Sequence, residues 1–373
     1  MNLFFELIQV ALGTRDELSR VPNAAEWDSL YEEAGKQAVS GVLLSGIERL
    51  PAEQLPPLLL KLQWIGETRV FEFQNKEMDQ KCLALLEMLE KAGLRGSILK
   101  GQGIARLYDE NLRGRRQSGD IDVYVDCGRE EALVKVKACG LKVNGWDYKH
   151  AHLQIWEDTE VEMHYRVEFL FNLIKNRRLQ RWFDNELDEL YELNPETGLV
   201  TPSVKFNLFY ILLHIYRHFL FEGVGLKQIM DYYWVLSTVN SEKFLDEPSD
   251  KAEQKVKSSL DAVKDFGMER FARGLMWVMK ETMAMPKEWM PWEPDEKEGN
   301  YILTQVMEGG NFGHYSSMQS QLTGGMGYVM SVIRHSMHLM RRYPSEALWS
   351  PVWVVWHKMW KVWVMIKHRL YHK

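Results

Sequence analysis

The alternation of apolar and polar positions divides the chain into three regions. The first 93 residues carry a helical periodicity, and the stretch 58–91 continues without proline until Gly93, a residue suited to a left-handed helix cap. The middle of the chain mixes short alternating runs, which are typical of strands, with helical patterns. We therefore predict an α+β protein with a helical N-terminal region (1–94), a mixed core (95–170) and a helical C-terminal region (171–373).

Within the core region, each apolar run indicates one short element. Runs rich in β-branched and aromatic residues predict strands, and apolar positions spaced three or four apart predict helices. The predicted elements are a strand at 97–100, a helix at 102–109, a strand at 120–126, a helix at 129–138, and strands near Leu141, Leu153 and Val161.

Two carboxylates on the predicted strand 120–126 are the strongest chemical signal in the chain. Asp120 and Asp122 are two residues apart, so both project from the same face of that strand. Adjacent acids repel each other unless a cation lies between them, and aspartate oxygens suit Mg²⁺ or Mn²⁺. A surface strand with two solvated acids is the alternative interpretation of this spacing alone.

Neighbouring segments add the other parts of a triphosphate site. Lys100, Gly101 and Gln102 lie where a strand passes through a turn into a predicted helix, and free amide groups at such a junction suit a phosphate. Arg116 precedes the paired acids; it either reaches a phosphate or neutralises Asp122. Glu162 shares a strand face with His164 and supplies a third carboxylate, so that three acids from two strands would hold the ions of an in-line displacement at phosphorus.

These residues occur in an order that resembles a known family, the uncharacterised bacterial nucleotidyltransferases of the DNA polymerase β-like superfamily. The resemblance extends from about Leu94 to Leu236. Its motifs are Leu99-Lys100-Gly101, Leu107-Tyr108, Arg116-x-x-Gly119-Asp120-Ile121-Asp122, Glu162-x-His164, Leu213-His214-x-x-Arg217-His218 and Leu226-Lys227-x-x-x-Asp231. The chain departs from the superfamily at Gly101-Gln102, where Gly-Gly or Gly-Ser is frequent.

The resemblance implies a small mixed β-sheet with helices on one side, two Mg²⁺ ions and transfer of a nucleoside monophosphate from an NTP to an acceptor. Asp120 and Asp122 match the paired metal ligands of the superfamily, and Glu162 matches the third. The residues implied in NTP binding are Lys100, Gly101, Gln102, Arg116, Ser118 and Gly119. The residues implied to face the substrate cleft are His164, His214, Lys227 and Asp231.

Several of these residues also have a simpler interpretation. Lys227 and Asp231 are four apart and would form an ordinary helix salt bridge. His214 and His218 have the spacing of half a zinc site, but their apolar flanks favour a structural or substrate-facing role. His150 and His152 would line the acceptor side of the site together with His164, or else be exposed surface residues.

The last part of the chain is basic and rich in tryptophan. Residues 331–373 hold eight lysines and arginines against the single acid Glu346. Ser350 and Pro351 suit the start of a helix that would carry a stripe of indoles. That stripe either docks onto the preceding helical region or, through residues 350–370, makes peripheral contact with a membrane. The indoles belong to Trp349, Trp353, Trp356, Trp360 and Trp363.

Composition narrows the remaining choices. A formal net charge of −6 disfavours stable DNA binding, and three scattered cysteines without metal or disulfide spacing favour a reducing cytoplasm. The apolar run 3–12 lacks the features of a signal peptide, and no stretch of the chain has the composition of a spanning helix. The expected acceptor is a small molecule, a peptide, a protein hydroxyl or an RNA end. A catalytically silent nucleotide-binding or scaffold protein is the alternative function.

Overall fold

The computed structural model of the protein describes residues 2–241, 250–311 and 336–371. Most of these residues are helical, as the sequence indicates for both terminal regions. The helices are α1 (Leu3–Leu12), α2 (Ala24–Lys36), α3 (Ser40–Arg49), α4 (Leu58–Lys91), α5 (Gln102–Ala105), α6 (Glu110–Arg113), α7 (Arg129–Ala138), α8 (Leu173–Asn185), α9 (Val204–Phe221), α10 (Leu226–Val239), α11 (Asp250–Asp265), α12 (Glu269–Met283), α13 (Glu296–Gly309) and α14 (Pro344–Tyr371).

The strands form one mixed sheet and one small ribbon. In the five-stranded sheet the order is β1-β2-β5-β4-β3, with β2 and β5 parallel and the other neighbouring pairs antiparallel. Strands β6 and β7 form the ribbon. The strands are β1 (Gly96–Ile98), β2 (Ile121–Val125), β3 (Lys142–Trp146), β4 (His150–Gln154), β5 (Val161–His164), β6 (Glu192–Leu193) and β7 (Val200–Thr201). The α+β class and the mixed sheet are therefore confirmed.

Helix α4 delivers the chain to the first strand of the sheet. It ends at Lys91, and Gly93 follows with a positive φ of 68°. The amide of Leu94 then donates to the carbonyl of Leu89, which closes the left-handed cap expected from the sequence. Trp64 in its first half and Cys82 in its second half are both fully buried. The helix thus packs along its length and fixes where β1 begins.

Apolar side chains form two buried clusters. The first joins helices from both ends of the chain, for example Leu7 of α1, Leu43 of α3, Leu213 of α9 and Leu275 of α12. The second lies between the sheet and the C-terminal half of α4 together with α7. Because the N-terminal and C-terminal helices share one core, they support the sheet jointly.

Helix α14 begins earlier than the sequence indicates. It starts at Pro344 and contains Pro351 in its interior, so the prediction that Ser350 caps the helix is wrong. Proline is well suited to the first turn of a helix, and Glu346 in that turn is buried and accepts a hydrogen bond from the amide of Phe171 at 2.6 Å. This buried contact supports the additional turns.

The tryptophan stripe of α14 packs on the turn between β3 and β4. Tyr148 in that turn lies 4.9 Å from Trp353, 5.5 Å from Trp356 and 5.4 Å from Trp360, measured between ring centroids. These three indoles therefore dock onto the protein, but on a turn of the sheet and not on the helical region that was predicted to receive them, whereas Trp363 is 59% exposed. Peripheral membrane contact stays a prediction. None of the helices in the described ranges combines the length and hydropathy needed to cross a bilayer.

Candidate active site

The carboxylates singled out in the sequence meet on one face of the sheet. Strands β2 and β5 run parallel, and Asp122 is the direct register partner of Glu162. Asp120 lies just before β2 on the same face as Asp122, at an exposed position. The charge of Asp122 raises the pKa of the Asp120 carboxyl, and Glu162 adds to the effect. The three acids therefore act on one another electrostatically.

Two cationic or protonatable groups bind these acids. The Lys100 ammonium lies 2.8 Å from Oδ1 of Asp122, and Nε2 of His164 lies 2.8 Å from the same oxygen. Nε2 of His164 is also 3.2 Å from Oε2 of Glu162. Since a carboxylate only accepts, the imidazole N–H donates to both acids. Both Asp122 and His164 are buried.

The contacts of Asp122, Lys100 and His164 determine the protonation states of these side chains. Burial alone would raise the pKa of Asp122, but Lys100 and His164 outweigh burial and hold that pKa well below its usual range. Burial opposes the charge on Lys100, yet the Asp122 carboxylate raises the lysine pKa well above its usual value. Hydrogen bonds to Asp122 and Glu162 likewise outweigh burial and raise the pKa of His164. The site is thus a compact ionic cluster.

The turn after Lys100 differs from the prediction. Helix α5 begins at the predicted residue 102 but ends at Ala105, so the predicted end at 109 is wrong, and four residues supply little of a helix dipole. The amide of Gly103 donates to the carbonyl of Lys100, and the next two amides donate to the carbonyl of Gly101. The side-chain amide of Gln102 donates to the carboxylate of Asp79 on α4 at 2.6 Å. Few donors in this turn remain for a phosphate.

Two glycines in that turn have steric reasons to be glycine. Gly101 has a φ of 55°, and a Cβ on it would lie 3.6 Å from the carbonyl oxygen of Asp120. A Cβ on Gly103 would lie 2.5 Å from the carbonyl oxygen of Ile98, which is closer than any real contact. The turn is therefore packed tightly against the end of β1.

Arg116 and Asp231 form a buried ion pair that the sequence did not reveal. Arg116 donates from Nε and Nη2 to the two carboxylate oxygens of Asp231 at 2.7 and 2.8 Å. The Tyr108 hydroxyl donates to the same carboxylate at 2.8 Å. Arg116 therefore binds an acid of α10 rather than Asp122. Bidentate pairing of this kind is among the stronger polar contacts in proteins.

Next to this pair lie Lys227, which the resemblance implies to face the substrate cleft, and Ser118 and Gly119, which it implies in NTP binding. Lys227, one helical turn before Asp231, is buried and directs its ammonium to the carbonyl of Gln117 at 3.4 Å. Burial, then the charge of Arg116, lowers its pKa to about 8, and Asp120 acts on it in the opposite direction. Ser118 and Gly119 lie in the loop that leads into β2, with open space where a Gly119 side chain would be.

His214 belongs to a second buried cluster centred on Glu168. Nδ1 of His214 lies 3.2 Å from Glu168, while Arg217 and Lys149 reach the same carboxylate at 3.3 and 3.6 Å. Burial and the charge of Lys100 lower the pKa of His214, although Glu168 opposes this. Sequence reasoning missed Glu168. An acid in the apolar run from Val167 to Leu170 was the available signal.

The two clusters adjoin on the side of α9. Burial raises the pKa of the Tyr210 hydroxyl, which also experiences the charges of Lys100, Asp122 and Glu168. His218, the second histidine of α9, lies 2.8 Å from Glu222. The candidate metal-binding groups found among the described residues do not include the His214–His218 pair, so a structural role fits these rings better.

Strand β4 adds two imidazoles next to Glu162. Nδ1 of His150 lies 3.0 Å from Oε2 of Glu162, and Nδ1 of His152 lies 2.9 Å from Glu160. The His150 ring is 5.1 Å from the His164 ring. Burial lowers the pKa of His150 to about 4, so its ring adjoins the cluster in the neutral form. Both histidines contact acids instead of lying alone on the surface.

The donor atoms of this cluster suit a divalent cation. Ligand atoms of Asp122, Glu162 and His164 lie within 4.8 Å of one another, and Asp120 stands beside them with an elevated carboxyl pKa. Carboxylate oxygens of this kind are the ligands that Mg²⁺ and Mn²⁺ prefer. The fold and the site thus define an α+β protein whose sheet presents a carboxylate cluster with adjoining basic side chains.

The family assignment agrees with this class. The chain belongs to the family described as uncharacterised nucleotidyltransferases, whose model matches residues 23–258. The matched range includes the sheet, α9 and α10. A comparison with curated proteins gave no match, and a comparison with solved structures gave none either. By family the protein is a nucleotidyltransferase.

Proposed function

We propose that the protein transfers a nucleoside monophosphate from an NTP to a hydroxyl-bearing acceptor, with Mg²⁺ or Mn²⁺ bound by Asp120, Asp122 and Glu162. The single observation that carries the proposal is the alignment of Asp122 with Glu162 on parallel strands, next to Asp120. Family membership supports nucleotidyl transfer in general. The proposal includes membership of the polymerase β-like superfamily.

Basic side chains on two sides of the acids would bind the triphosphate. Lys100 lies against Asp122, and Lys227 approaches from α10 close enough for the charge of Asp120 to affect its pKa. The loop residues Ser118 and Gly119 would add polar contacts. Arg116 acts mainly by orienting α10 through Asp231, because that carboxylate already occupies two of its donors.

The three carboxylates would contribute to catalysis by binding the divalent ions. When bound, the divalent ions would neutralise phosphate charge and increase the acidity of the acceptor hydroxyl. Glu162 has a lowered pKa because its hydrogen bond with His164 outweighs burial, so it is ionised, as a ligand of a divalent ion must be. His164 holds Asp122 and Glu162 in place through one nitrogen. Enclosure by α9 excludes water from the buried part of the cluster.

The proposed acceptor is a compound with a hydroxyl group. Small molecules, peptides, proteins and RNA ends all carry such groups. The alternative function is a silent nucleotide-binding or scaffold protein located, like the enzyme, in the cytoplasm. The presence of all three acids and of Lys100 favours the enzyme, because a scaffold has no need for a costly charge cluster in which Asp122 and His164 are buried.

The test compares the protein with its Asp120→Asn variant. Incubation with Mg²⁺, α-labelled NTPs and a panel of acceptors should release pyrophosphate and label an acceptor or the protein itself. Asp120→Asn should lower turnover by more than about 100-fold, since even residues that merely support metal ligands contribute 10–100-fold. Asp126→Asn changes an exposed acid after the other end of β2 and is the matched control. Equal turnover by Asp120→Asn would contradict the proposed role, and NTP binding without turnover in the wild type would favour the scaffold.

A further inference from the structure

We propose that His150, His152 and Glu162 form a second metal site, filled by a first-row transition metal such as Zn²⁺, beside the carboxylates proposed for catalysis. The site arises from the pairing of β4 with β5. In this antiparallel pair His152 is the register partner of Glu162, and His150 is the register partner of His164. Residues two apart share a face, so both histidines and Glu162 project from the same side of the sheet.

The distances suit a single ion. One ligand atom from each of His150, His152 and Glu162 lies within 4.8 Å of the other two. Nδ1 of His150 and Oε2 of Glu162 are 3.0 Å apart. Two ligands of a tetrahedral Zn²⁺, bonded at about 2.0–2.1 Å, are separated by roughly 3.3 Å. This pair already has nearly the required spacing, and a modest rotation of the half-exposed His152 completes the set.

Each histidine also has the supporting carboxylate that metal-binding imidazoles usually have. Glu160 lies 2.9 Å from Nδ1 of His152, and Asp147 lies 3.7 Å from Nε2 of His150. Asp147 is itself held by hydrogen bonds from the amides of Lys149 and His150 at 2.7 and 2.9 Å. A carboxylate on one nitrogen orients the ring and directs the other nitrogen to the metal.

The donor set distinguishes this site from the one proposed for Mg²⁺. Two imidazole nitrogens and one carboxylate suit Zn²⁺ and related ions, whereas Mg²⁺ prefers oxygen ligands. Three protein ligands leave a coordination position open, as in catalytic rather than structural zinc sites. Glu162 is common to both sites. If nucleotidyl transfer occurs as proposed, the open position faces the acceptor side and binds the acceptor oxygen.

The site is tested without nucleotide on the full-length protein. Metal is removed with a chelator, and Zn²⁺ binding is measured by equilibrium dialysis in a large excess of Mg²⁺. We expect about one Zn²⁺ per chain that Mg²⁺ does not displace. Co²⁺ used as a probe should give visible absorption bands of a nitrogen-bound ion with low coordination number. Displacement of Zn²⁺ by Mg²⁺ would overturn the proposal.

Variants identify the ligands. His152→Ala removes a ligand and should weaken Zn²⁺ binding more than about 100-fold and change the Co²⁺ bands. Glu160→Gln should weaken binding less, by about 10–100-fold, as expected for a supporting carboxylate. His338→Ala removes an exposed imidazole elsewhere and should change nothing. Asp120→Asn should retain Zn²⁺ binding. Wild-type binding by His152→Ala, or loss of binding in Asp120→Asn equal to that in His152→Ala, would refute a distinct site.

The outcome is separable from that of the proposed function. Zn²⁺ binding that requires His152 in a protein without transferase activity would leave this site standing and refute nucleotidyl transfer. Transfer activity with no such Zn²⁺ binding would do the reverse. A urea unfolding curve for His152→Ala that matches the wild type excludes misfolding as the cause of lost binding.

Discussion

Replacing Lys227 with methionine should make the protein more stable and a poorer binder of NTP. Lys227 lies on α10 with 7% of its surface exposed, and its ammonium contacts the carbonyl of Gln117 at 3.4 Å. Burial and the neighbouring Arg116 make its positive charge unfavourable in the folded state. Methionine has a similar length and no charge, so Lys227→Met removes this cost while keeping most of the packing.

The size of the effect follows from the pKa. Lowering the lysine pKa from 10.5 to about 8 corresponds to ~3 kcal/mol of free energy favouring the neutral form. Below pH 8 the residue is protonated in both the folded and the unfolded chain, so the full cost applies at neutral pH. As the pH rises from about 8 towards 10.5, the folded chain loses its proton first, and the wild type gains stability. The free energy of unfolding of Lys227→Met should therefore exceed that of the wild type by up to ~3 kcal/mol at pH 7, with the difference shrinking as the pH rises.

Urea unfolding followed by tryptophan fluorescence at pH 7 and at about pH 10 measures both values, and initial rates at increasing NTP concentrations measure the KM of the same samples. We expect a KM for NTP at least about tenfold higher, which corresponds to losing one charge-assisted contact to phosphate. Lys76→Met on the exposed face of α4 is the control and should change stability by no more than about 0.5 kcal/mol. A variant that is less stable at pH 7, or a difference that does not change with pH, would refute the reasoning about buried charge. An unchanged KM would refute the phosphate contact.

Three further substitutions test how the site is supported. Arg116→Ala leaves the Asp231 carboxylate buried without its bidentate partner and should cost about 3–5 kcal/mol in thermal unfolding; adding Asp231→Ala should recover part of the loss, and no recovery would argue against the pair. Gly103→Ala brings a Cβ against the Ile98 carbonyl and should cost about 1–3 kcal/mol by urea unfolding, whereas wild-type stability would mean that the turn relaxes freely. Trp353→Ala removes a buried indole of α14 that stacks on Phe169, and it should cost about 3–5 kcal/mol by calorimetry; an unchanged melting temperature would contradict the docking of that helix.

Local patterns in the sequence predicted the parts of the site that depend on single strands. Alternation alone put Asp120 and Asp122 on one face of their strand, and Glu162 and His164 on one face of theirs. Helix α7 has the predicted bounds of 129–138. The predicted bounds of β2 were one residue too long at each end. These features depend on neighbours in the chain, which a periodicity detects.

Contacts between distant segments could not be predicted in the same way. Arg116 and Asp231 are far apart in the chain, and nothing in either local pattern indicates their pairing. The short α5 likewise results from packing, because the turn after Lys100 is pressed against β1 and β2. The sequence predicts that Lys100 binds phosphate. Its contact with Asp122 depends on the antiparallel pairing of β1 with β2, which the local pattern does not reveal. Pairing and register of this kind are tertiary properties, and they override local helix propensity.

Two buried ion pairs link the sheet region to helices that the family match also covers. Arg116 in the predicted core binds Asp231 of α10, and Glu168 at the end of that core binds Arg217 of α9. Both pairs cross the predicted boundary at residue 170. A fragment that ended there would lack the partners of Arg116 and Glu168. Each of these charges would cost several kcal/mol if it stayed buried. The family match at 23–258 includes both partners of both pairs. We therefore infer that the sheet folds together with α9 and α10, because these helices neutralise charges that the sheet region cannot neutralise alone.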